Sequence, residues 1–478
     1  MLIEKNTQKV NNQLGVGKSS PPSFSYQNKN LLTMKITFYN SLTNSLEEFK
    51  TVKPNEVSMY VCGPTVYNYP HIGNMRPVVV FDTLRRFLRY VGYKVTYVSN
   101  FTDVDDKIIK AAQKEGKTEK ELTEFYIQEF LKVTKALGSE KPDITPKVTE
   151  YIQKIIAYID NLVKIGAAYV VDGDVYFRVP LIKDYGSLSG INVEDLVVGA
   201  RIEENSKKES PLDFALWKTT TEGIKWDSPW GQGRPGWHTE CCVMIDTIFP
   251  NQEIDIHGGG YDLKFPHHEN EIAQTEATHG HHIAHYWMHN GFINFGNEKM
   301  SKSLGNVVYA KDMVEKYGGA VTRLVILNAH YRQPVNYTDE TVNAAIQEVN
   351  KMQMAYKQMA LQLQVNNINL DEGKPVYIEK FIESLADDLN TANALAELYN
   401  LIKEANQTIR TREIDFVKLN NQFKTLTDMF SVLGLNIEYV KLGDEERALY
   451  NEYLAAKQEK NFAKSDEIRQ KLIAKGIM

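Results

Sequence analysis

The sequence predicts an α/β protein: a parallel-sheet domain interrupted by an inserted α+β subdomain and followed by an all-α C-terminal domain. Three observations carry that expectation. Two strand-like runs, at 57–61 and 94–99, flank a segment in which Val80, Leu84, Leu88 and Val91 recur at helical spacing, and such a β-α-β unit implies parallel sheet. A block from about 116 to 179 breaks the alternation with two amphipathic patterns and a hairpin. After Ser303 strand-like runs become scarce and helical periodicity runs to the end.

Taken in order, residues 1–33 are rich in Asn, Gln, Lys and Ser, lack arginine and lack a long apolar run. They fit neither a secretory signal nor a transit peptide and read as a disordered extension. Met34, ahead of the alternating Lys35-Ile36-Thr37-Phe38-Tyr39, marks the expected structured start. Pro77 suits the first turn of the helix that follows, where a missing N–H is harmless, so the loop ahead of it sits at a positive helix end. Helices are expected over 116–138 and 146–166, and a hairpin at 168–171 and 174–179 turns on Asp172-Gly173. The Gly- and Trp-rich stretch 226–237 leads to a strand at 253–257 and then to Gly258-Gly259-Gly260, read as a ligand-side turn. Helices close the chain at 339–363, 376–386, 391–408, 417–433 and 444–474.

With 478 residues and 42% hydrophobic content the chain can bury the cores of several domains. A formal charge of -6 argues against capture of nucleic acid by the whole surface and leaves only local basic faces for it. The cysteines are three, Cys62, Cys241 and Cys242, too few for a disulfide framework in so long a chain, so a reducing cytoplasm is expected. No stretch approaches the ~20 apolar residues of a membrane span.

In 265–271, Pro266 at a helix start would put His267 and Glu271, four apart, on one face. With Cys62 and Cys241 they could complete a zinc shell, Cys242 competing with Cys241 for its place. The alternative is that the cysteines are small buried apolar residues. His71 and Asn74 lie one helical turn apart, with Gly73 between them allowing close backbone approach; such groups suit an α-phosphate on which charge builds. Lys299 and Lys302, in Lys299-Met300-Ser301-Lys302-Ser303, are flexible point charges able to follow a leaving pyrophosphate. The cluster His279, His281, His282 and His285 reads as surface loop, without the carboxylates and helix of a second metal site.

His71-Ile72-Gly73-Asn74 and the Lys299–Ser303 run resemble the paired motifs of class I aminoacyl-tRNA synthetases. Cys62-Gly63-Pro64-Thr65-Val66-Tyr67, the run 100–107, Gly236-Trp237-His238-Thr239-Glu240-Cys241, Asp255-Ile256-His257-Gly258-Gly259-Gly260 and 265–271 look like the cysteinyl-tRNA synthetase family. The resemblance implies a Rossmann-like catalytic domain and formation of cysteinyl adenylate from cysteine and ATP, followed by transfer to the terminal adenosine of cysteine tRNA. It also implies one zinc held by Cys62, Cys241, His267 and Glu271 and bound by the substrate thiolate. It places Gly63, Thr65, Asn100, Thr102, Trp237, Gly260 and Asp262 around the adenylate, with Lys302 on ATP phosphates and magnesium accompanying ATP. The implied organisation is a catalytic first half at 34–115, a connective insertion at 116–225, a second half with the lysine loop at 226–310, a stem-contact linker at 311–338, a helical tRNA-binding domain at 339–440 and a short anticodon-region segment at 441–478, expected to be incomplete. Asn74 stands where histidine is commonest in the class. The implied state is a monomer.

Thiol selection by a soft ion is consistent with this. Discrimination of ~10⁴ needs roughly 5 to 6 kcal/mol, more than the about 1 to 3 that a methylene in an apolar pocket supplies, but thiolate coordination by a soft ion can make up the difference, so no editing domain is expected. A four-ligand zinc is ordinarily closed, so this one must gain a fifth ligand or loosen Glu271. Two other readings are a ligase joining cysteine to an amino sugar, which would not need the helical tail, and a non-catalytic RNA-binding paralogue.

Overall fold

The computed structural model describes residues 34–191, 207–250, 252–295 and 307–478, together with the strand pairings of 18–19 and 298–299. At its centre four parallel strands, β3 (Glu56–Val61), β4 (Lys94–Ser99), β9 (Ile254–Gly260) and β10 (Ala284–Asn290), lie in the order β10-β9-β3-β4. The chain therefore reverses its direction of sheet growth between β3 and β9, and the C-terminal ends of those two strands form the crevice where ligands bind in open α/β sheets. A hairpin of β1 (Thr37–Asn40) and β2 (Ser45–Glu48) precedes the sheet.

The helix between β3 and β4, α1 (Ile72–Tyr90), has His71 as its N-cap, and the His71 N–H donates to Asn74 Oδ1 at 3.1 Å. This start is earlier than Pro77 suggests. Proline sits inside the second turn, where its missing N–H removes only the bond to the Gly73 carbonyl. The apolar side of α1 covers the sheet, with Phe81, Leu84, Phe87 and Leu88 fully buried.

Helices α2 (Asp106–Glu115), α3 (Glu119–Ala136) and α4 (Ile152–Lys164) lead into an antiparallel sheet of β5 (Ala168–Val171), β6 (Asp174–Phe177), β7 (Phe214–Thr219) and β8 (Gly233–Pro235). The chain then returns through α5 (Glu240–Ile248) to β9, and through α6 (Glu269–His279) to β10. Gly258 to Gly260 belong to β9 rather than to a turn after it. The strand is buried on both faces, and a Cβ on Gly258 would stand 2.3 Å from the Phe81 ring, so a glycine run that looks like a turn is a packing requirement.

Beyond β10, β11 (Ile293–Phe295) pairs antiparallel with β12 (Glu298–Lys299) and parallel with β13 (Val335–Tyr337), with α7 (Ala310–Tyr317) and α8 (Gly319–Leu327) between the latter two. The remainder is helical: α9 (Asp339–Val365), α10 (Glu379–Ala386), α11 (Thr391–Arg410), α12 (Phe416–Leu433), α13 (Asp444–Gln458) and α14 (Phe462–Ala474). One apolar core runs without interruption from α1 through α8 into α9 to α12. The expected single helix over 444–474 is a hairpin instead. Lys460 takes a left-handed φ of 58°, and the Asn461 side chain caps α14 by accepting from the Lys464 N–H. No described helix is long and apolar enough to cross a membrane. Lys18–Ser19 pair with Tyr439–Val440, and the rest of the expected disordered extension lies outside the described residues.

Candidate active site

Cys62 follows β3 directly, and its N–H donates to the Gly258 carbonyl at 3.1 Å, which fixes its side chain at the sheet's C-terminal edge. Cys241 comes from the first turn of α5, His267 from the turn before α6, and Glu271 from α6 itself. All four side chains are buried and their ligand atoms lie within 4.8 Å of one another. The Sγ atoms are 3.6 Å apart, Cys241 Sγ is 3.6 Å from His267 Nε2, and Cys62 Sγ is 3.7 Å from Glu271 Oε1. A tetrahedral ion bonded at about 2.0 to 2.3 Å spaces its ligands roughly 3.3 to 3.8 Å apart, so these edges fit zinc. The His267–Glu271 edge, at 2.8 Å, is that of an ion pair and would widen around a metal.

The anionic character of Cys241 and Glu271 suits a cation, which would take the place of the proton they favour on His267. Cys241 is lowered to about 6, because Cys62 donates to it and, against the opposing effect of burial, His267 stands beside it. Burial pushes the Cys62 thiol well up. Burial also opposes ionisation of Glu271, but His257 and His267 outweigh it and hold the carboxyl well below its usual range. His267 is raised to about 10: burial disfavours its charge, and Glu271 and Cys241 more than compensate.

Cys242 points elsewhere, its Sγ 3.6 Å from the His238 carbonyl and 3.7 Å from that of Glu271. Four histidines that sequence reasoning passed over surround the cluster. His257 Nε2 lies 2.5 Å from Glu271 Oε2, and His238 Nδ1 lies 3.2 Å from His267 Nδ1. His268 Nε2 is 3.4 Å from Cys62 Sγ while its Nδ1 contacts His289, which in turn reaches Ser41. Cys62, His257, His268 and Glu271 form a second ligand-like group. It shares two members with the first, carries one sulfur instead of two, and its imidazoles already serve neighbours. His238, His257 and His268 stand inside the motifs that carry the resemblance, but nothing in the sequence set their rings against ligands.

The surface histidines differ from expectation, because carboxylates do accompany them: His279 with Asp246, His281 and His285 with Glu253, and His282 with Glu276. His281 and His285 share one carboxylate and the other two pair singly, and among the described residues none of these sets gathers its ligand atoms as a metal site would.

Cys62 also lines a cleft of about 380 Å³, together with Gly63, Thr65, His71, Gly73, Asn74, Trp237, Gly260 and Asp262. Trp237 stacks on His267 with centroids 4.4 Å apart, joining the cleft wall to the cluster. Asn100 and Thr102 do not line it. Asn100 Oδ1 accepts from the Gly63 N–H at 2.9 Å, and Thr102 donates to the buried Glu240 at 2.8 Å, so both brace the cleft from beneath. Gly63 is required there, since a Cβ would fall 1.6 Å from the Asn100 carbonyl oxygen. The Lys299 backbone pairs with Asn294, and Lys302 lies outside the described residues.

A parallel sheet whose switch point joins a helix-start phosphate motif to a buried thiol, imidazole and carboxylate cluster, followed by a helical domain, defines a class I aminoacyl-tRNA synthetase architecture. The family described as the class I (C) tRNA synthetase catalytic domain matches residues 48–347, and the DALR domain matches 380–438. The chain belongs to the cysteine–tRNA ligase family. Relatives of that name from Brevibacillus brevis and Anoxybacillus flavithermus are each 46% identical, over 93% of this chain and 97% of theirs. Among solved structures, Mycobacterium tuberculosis methionyl-tRNA synthetase with methionyl-adenylate superposes with a TM-score of 0.57 at 16% identity, over 79% of this chain and 89% of that one. LeuRS from Agrobacterium radiobacter, in a ternary complex with tRNA and LeuAMS, gives 0.59 at 11% over 81% and 85%. These likenesses concern the fold alone.

Proposed function

We propose that this protein is a cytoplasmic, monomeric cysteine–tRNA ligase that forms cysteinyl-AMP and pyrophosphate from L-cysteine and ATP and transfers the cysteinyl group to the 3′-terminal adenosine of cysteine tRNA. The observation that carries the reading is the double membership of Cys62, which belongs both to the metal-type cluster and to the wall of the cleft that begins at His71 and Asn74. Cys62, Cys241, His267 and Glu271 hold zinc, which when bound supplies a soft Lewis acid able to select a thiolate over a hydroxyl.

The chain's own groups do the rest. The cysteine carboxylate oxygen attacks the α-phosphorus and pyrophosphate leaves in line, so catalysis consists of positioning and charge stabilisation. The N-terminus of α1 offers its backbone N–H groups to the α-phosphate. Asn74 Oδ1 is turned back to the His71 N–H, which leaves its amide nitrogen as the group that donates to phosphate, a role that needs no positive charge. Lys299 and Lys302 neutralise the departing pyrophosphate, with magnesium held mainly by phosphate and water. Gly63, Thr65, Trp237, Gly260 and Asp262 shape the adenylate pocket, and Asn100 and Thr102 hold its floor. The helical domain grips the tRNA, and its presence favours tRNA over an amino sugar as acceptor.

The test is pyrophosphate exchange dependent on cysteine, followed by charging of a cysteine tRNA transcript alongside an amino-sugar acceptor. Absence of exchange in protein that retains its zinc overturns the proposal.

A further inference from the structure

We infer that Arg76 is a positioning residue for the ATP half-reaction: its guanidinium locks the first turns of α1 to the 290–293 lining of the cleft and ties both to the helical domain. The inference rests on the reading of that cleft as the ATP site.

Arg76 lies two residues beyond Asn74 and is fully buried. Its Nη1 donates to the Phe292 carbonyl at 2.5 Å, and its Nη2 to the carbonyls of Tyr331 at 3.0 Å and His330 at 3.3 Å and to that of Gln333. Asn290, Gly291, Phe292 and Ile293 line the same cleft as His71, Gly73 and Asn74. One buried side chain on α1 thus fixes a second lining segment of the cleft to the helix that begins at its His71–Asn74 lining. The same junction is sewn by the backbone, Gly291 donating to the Tyr331 carbonyl at 2.8 Å and Val335 to that of Phe292 at 2.9 Å. There is no slack, because a Cβ on Gly291 would come within 2.7 Å of the Gln333 carbonyl oxygen.

The 330–333 turn is held in turn from the helical side. The Tyr331 hydroxyl donates to Asp388 Oδ1 at 2.8 Å, and Arg332 reaches Oδ2 through Nε at 2.8 Å and Nη2 at 2.6 Å. Asp388 is buried, stands between α10 and α11 in a left-handed conformation, and falls within the DALR match. The path from helical domain to phosphate wall is therefore Asp388, the 330–333 turn, Arg76 and the start of α1.

Arg76 differs from the other buried arginines on α1. Arg85 and Arg86 share the carboxylates of Asp82 and Glu140, whereas no carboxylate lies within ion-pair distance of Arg76 among the described residues. Burial lowers it, but only to about 10, so it stays cationic at neutral pH. What the site uses is the planar fork that reaches several fixed carbonyls at once, which a lysine cannot reproduce.

The experiment is steady-state pyrophosphate exchange on zinc-loaded full-length Arg76→Lys and Tyr331→Phe proteins, with ATP and cysteine varied separately and ATP affinity read in parallel by titration with a fluorescent ATP analogue. Arg76→Lys is expected to lower kcat/KM for ATP about ten- to a hundredfold, as small misplacements of reacting groups do. The KM for cysteine and the zinc content stay within twofold of wild type. Tyr331→Phe, which removes one hydroxyl, shows the same ATP-selective loss at about three- to tenfold and decides the matter should Arg76→Lys fail to fold. Equal losses in the ATP and cysteine parameters, or an unchanged ATP parameter in Tyr331→Phe, overturn the inference. Wild-type protein that binds the ATP analogue but exchanges nothing with cysteine counts against the proposed function alone, and the nucleotide affinities of the variants still judge the role of Arg76.

Discussion

His257 Nε2 lies 2.5 Å from Glu271 Oε2, the carboxylate oxygen not directed at His267 and Cys62. The ring is itself fixed, stacked on Trp287 with centroids 4.5 Å apart and set edge-on to Tyr60. A carboxylate with one oxygen restrained in this way presents the other at a set angle, which matters if Glu271 must hold an ion yet yield when a fifth ligand arrives. Outer partners of metal ligands commonly contribute 10- to 100-fold in affinity. His257→Ala is therefore expected to weaken zinc binding by about that factor in chelator competition, and His257→Gln, which can still donate, by much less. Cys242→Ala should leave zinc affinity unchanged, because that sulfur faces the backbone carbonyls of His238 and Glu271 and not the ligand atoms of the cluster.

Asp82 contributes to acid stability. It is buried on α1 and paired with Arg323 at 2.7 Å, Arg86 at 2.9 Å and Arg85 at 3.0 Å, and it also accepts from the Glu140 N–H at 3.0 Å. Burial opposes its ionisation, but Arg323, then Arg86 and Arg85, outweigh burial and hold the carboxyl well below the usual carboxylate range. Its folded-state pKa lies below the unfolded value of about 3.9, so its stabilisation is present in full above that value and is lost as pH falls toward the folded one. Asp82→Asn should cost about 3 to 5 kcal/mol at pH 7, the usual penalty for leaving buried cations without their anion. Urea unfolding at stepped pH checks this, and the gap to wild type should narrow only below about pH 4.

Periodicity made some of this legible. Strand 94–99 and the hairpin on Asp172-Gly173 are where alternation and turn chemistry put them, because both signals are local. The start of α1 was obscured by Pro77, since a proline signals an N-terminus only when tertiary packing does not absorb its missing hydrogen bond. The break at Lys460 was readable in principle from Asn461, a good N-cap, but continuous helical periodicity on both sides masked it. In the site, ligand types and spacing offered Cys62, Cys241, His267 and Glu271 as one shell with Cys242 a rival to Cys241, the family resemblance singled out the four, and the structure gathers those four ligand atoms. The bracing contacts, Asn100 to Gly63, Thr102 to Glu240 and Arg76 to the 330–333 turn, join residues from 37 to more than 250 positions apart, and no local pattern encodes such partners.

The glycine run of β9 offers a test of packing as the cause of sequence. A Cβ added at Gly258 would stand 2.3 Å from Phe81 Cζ and 2.4 Å from Cε1, and both residues are buried where α1 crosses the sheet. Neither can yield easily: Gly258 is registered between Val61 and Met288, and Phe81 sits mid-helix among fully buried neighbours. Gly258→Ala should therefore destabilise by about 1 to 3 kcal/mol, the usual effect of overpacking a filled core. Shortening the ring should relieve it. Phe81→Leu alone costs stability by opening a cavity, but combined with Gly258→Ala the new methyl occupies part of that space, so the double variant should be more stable than the sum of the two losses predicts. A double-mutant cycle by chemical denaturation measures the coupling, expected at about 0.5 to 3 kcal/mol in the stabilising direction. Strict additivity would mean that Gly258 is set by something other than the Phe81 ring.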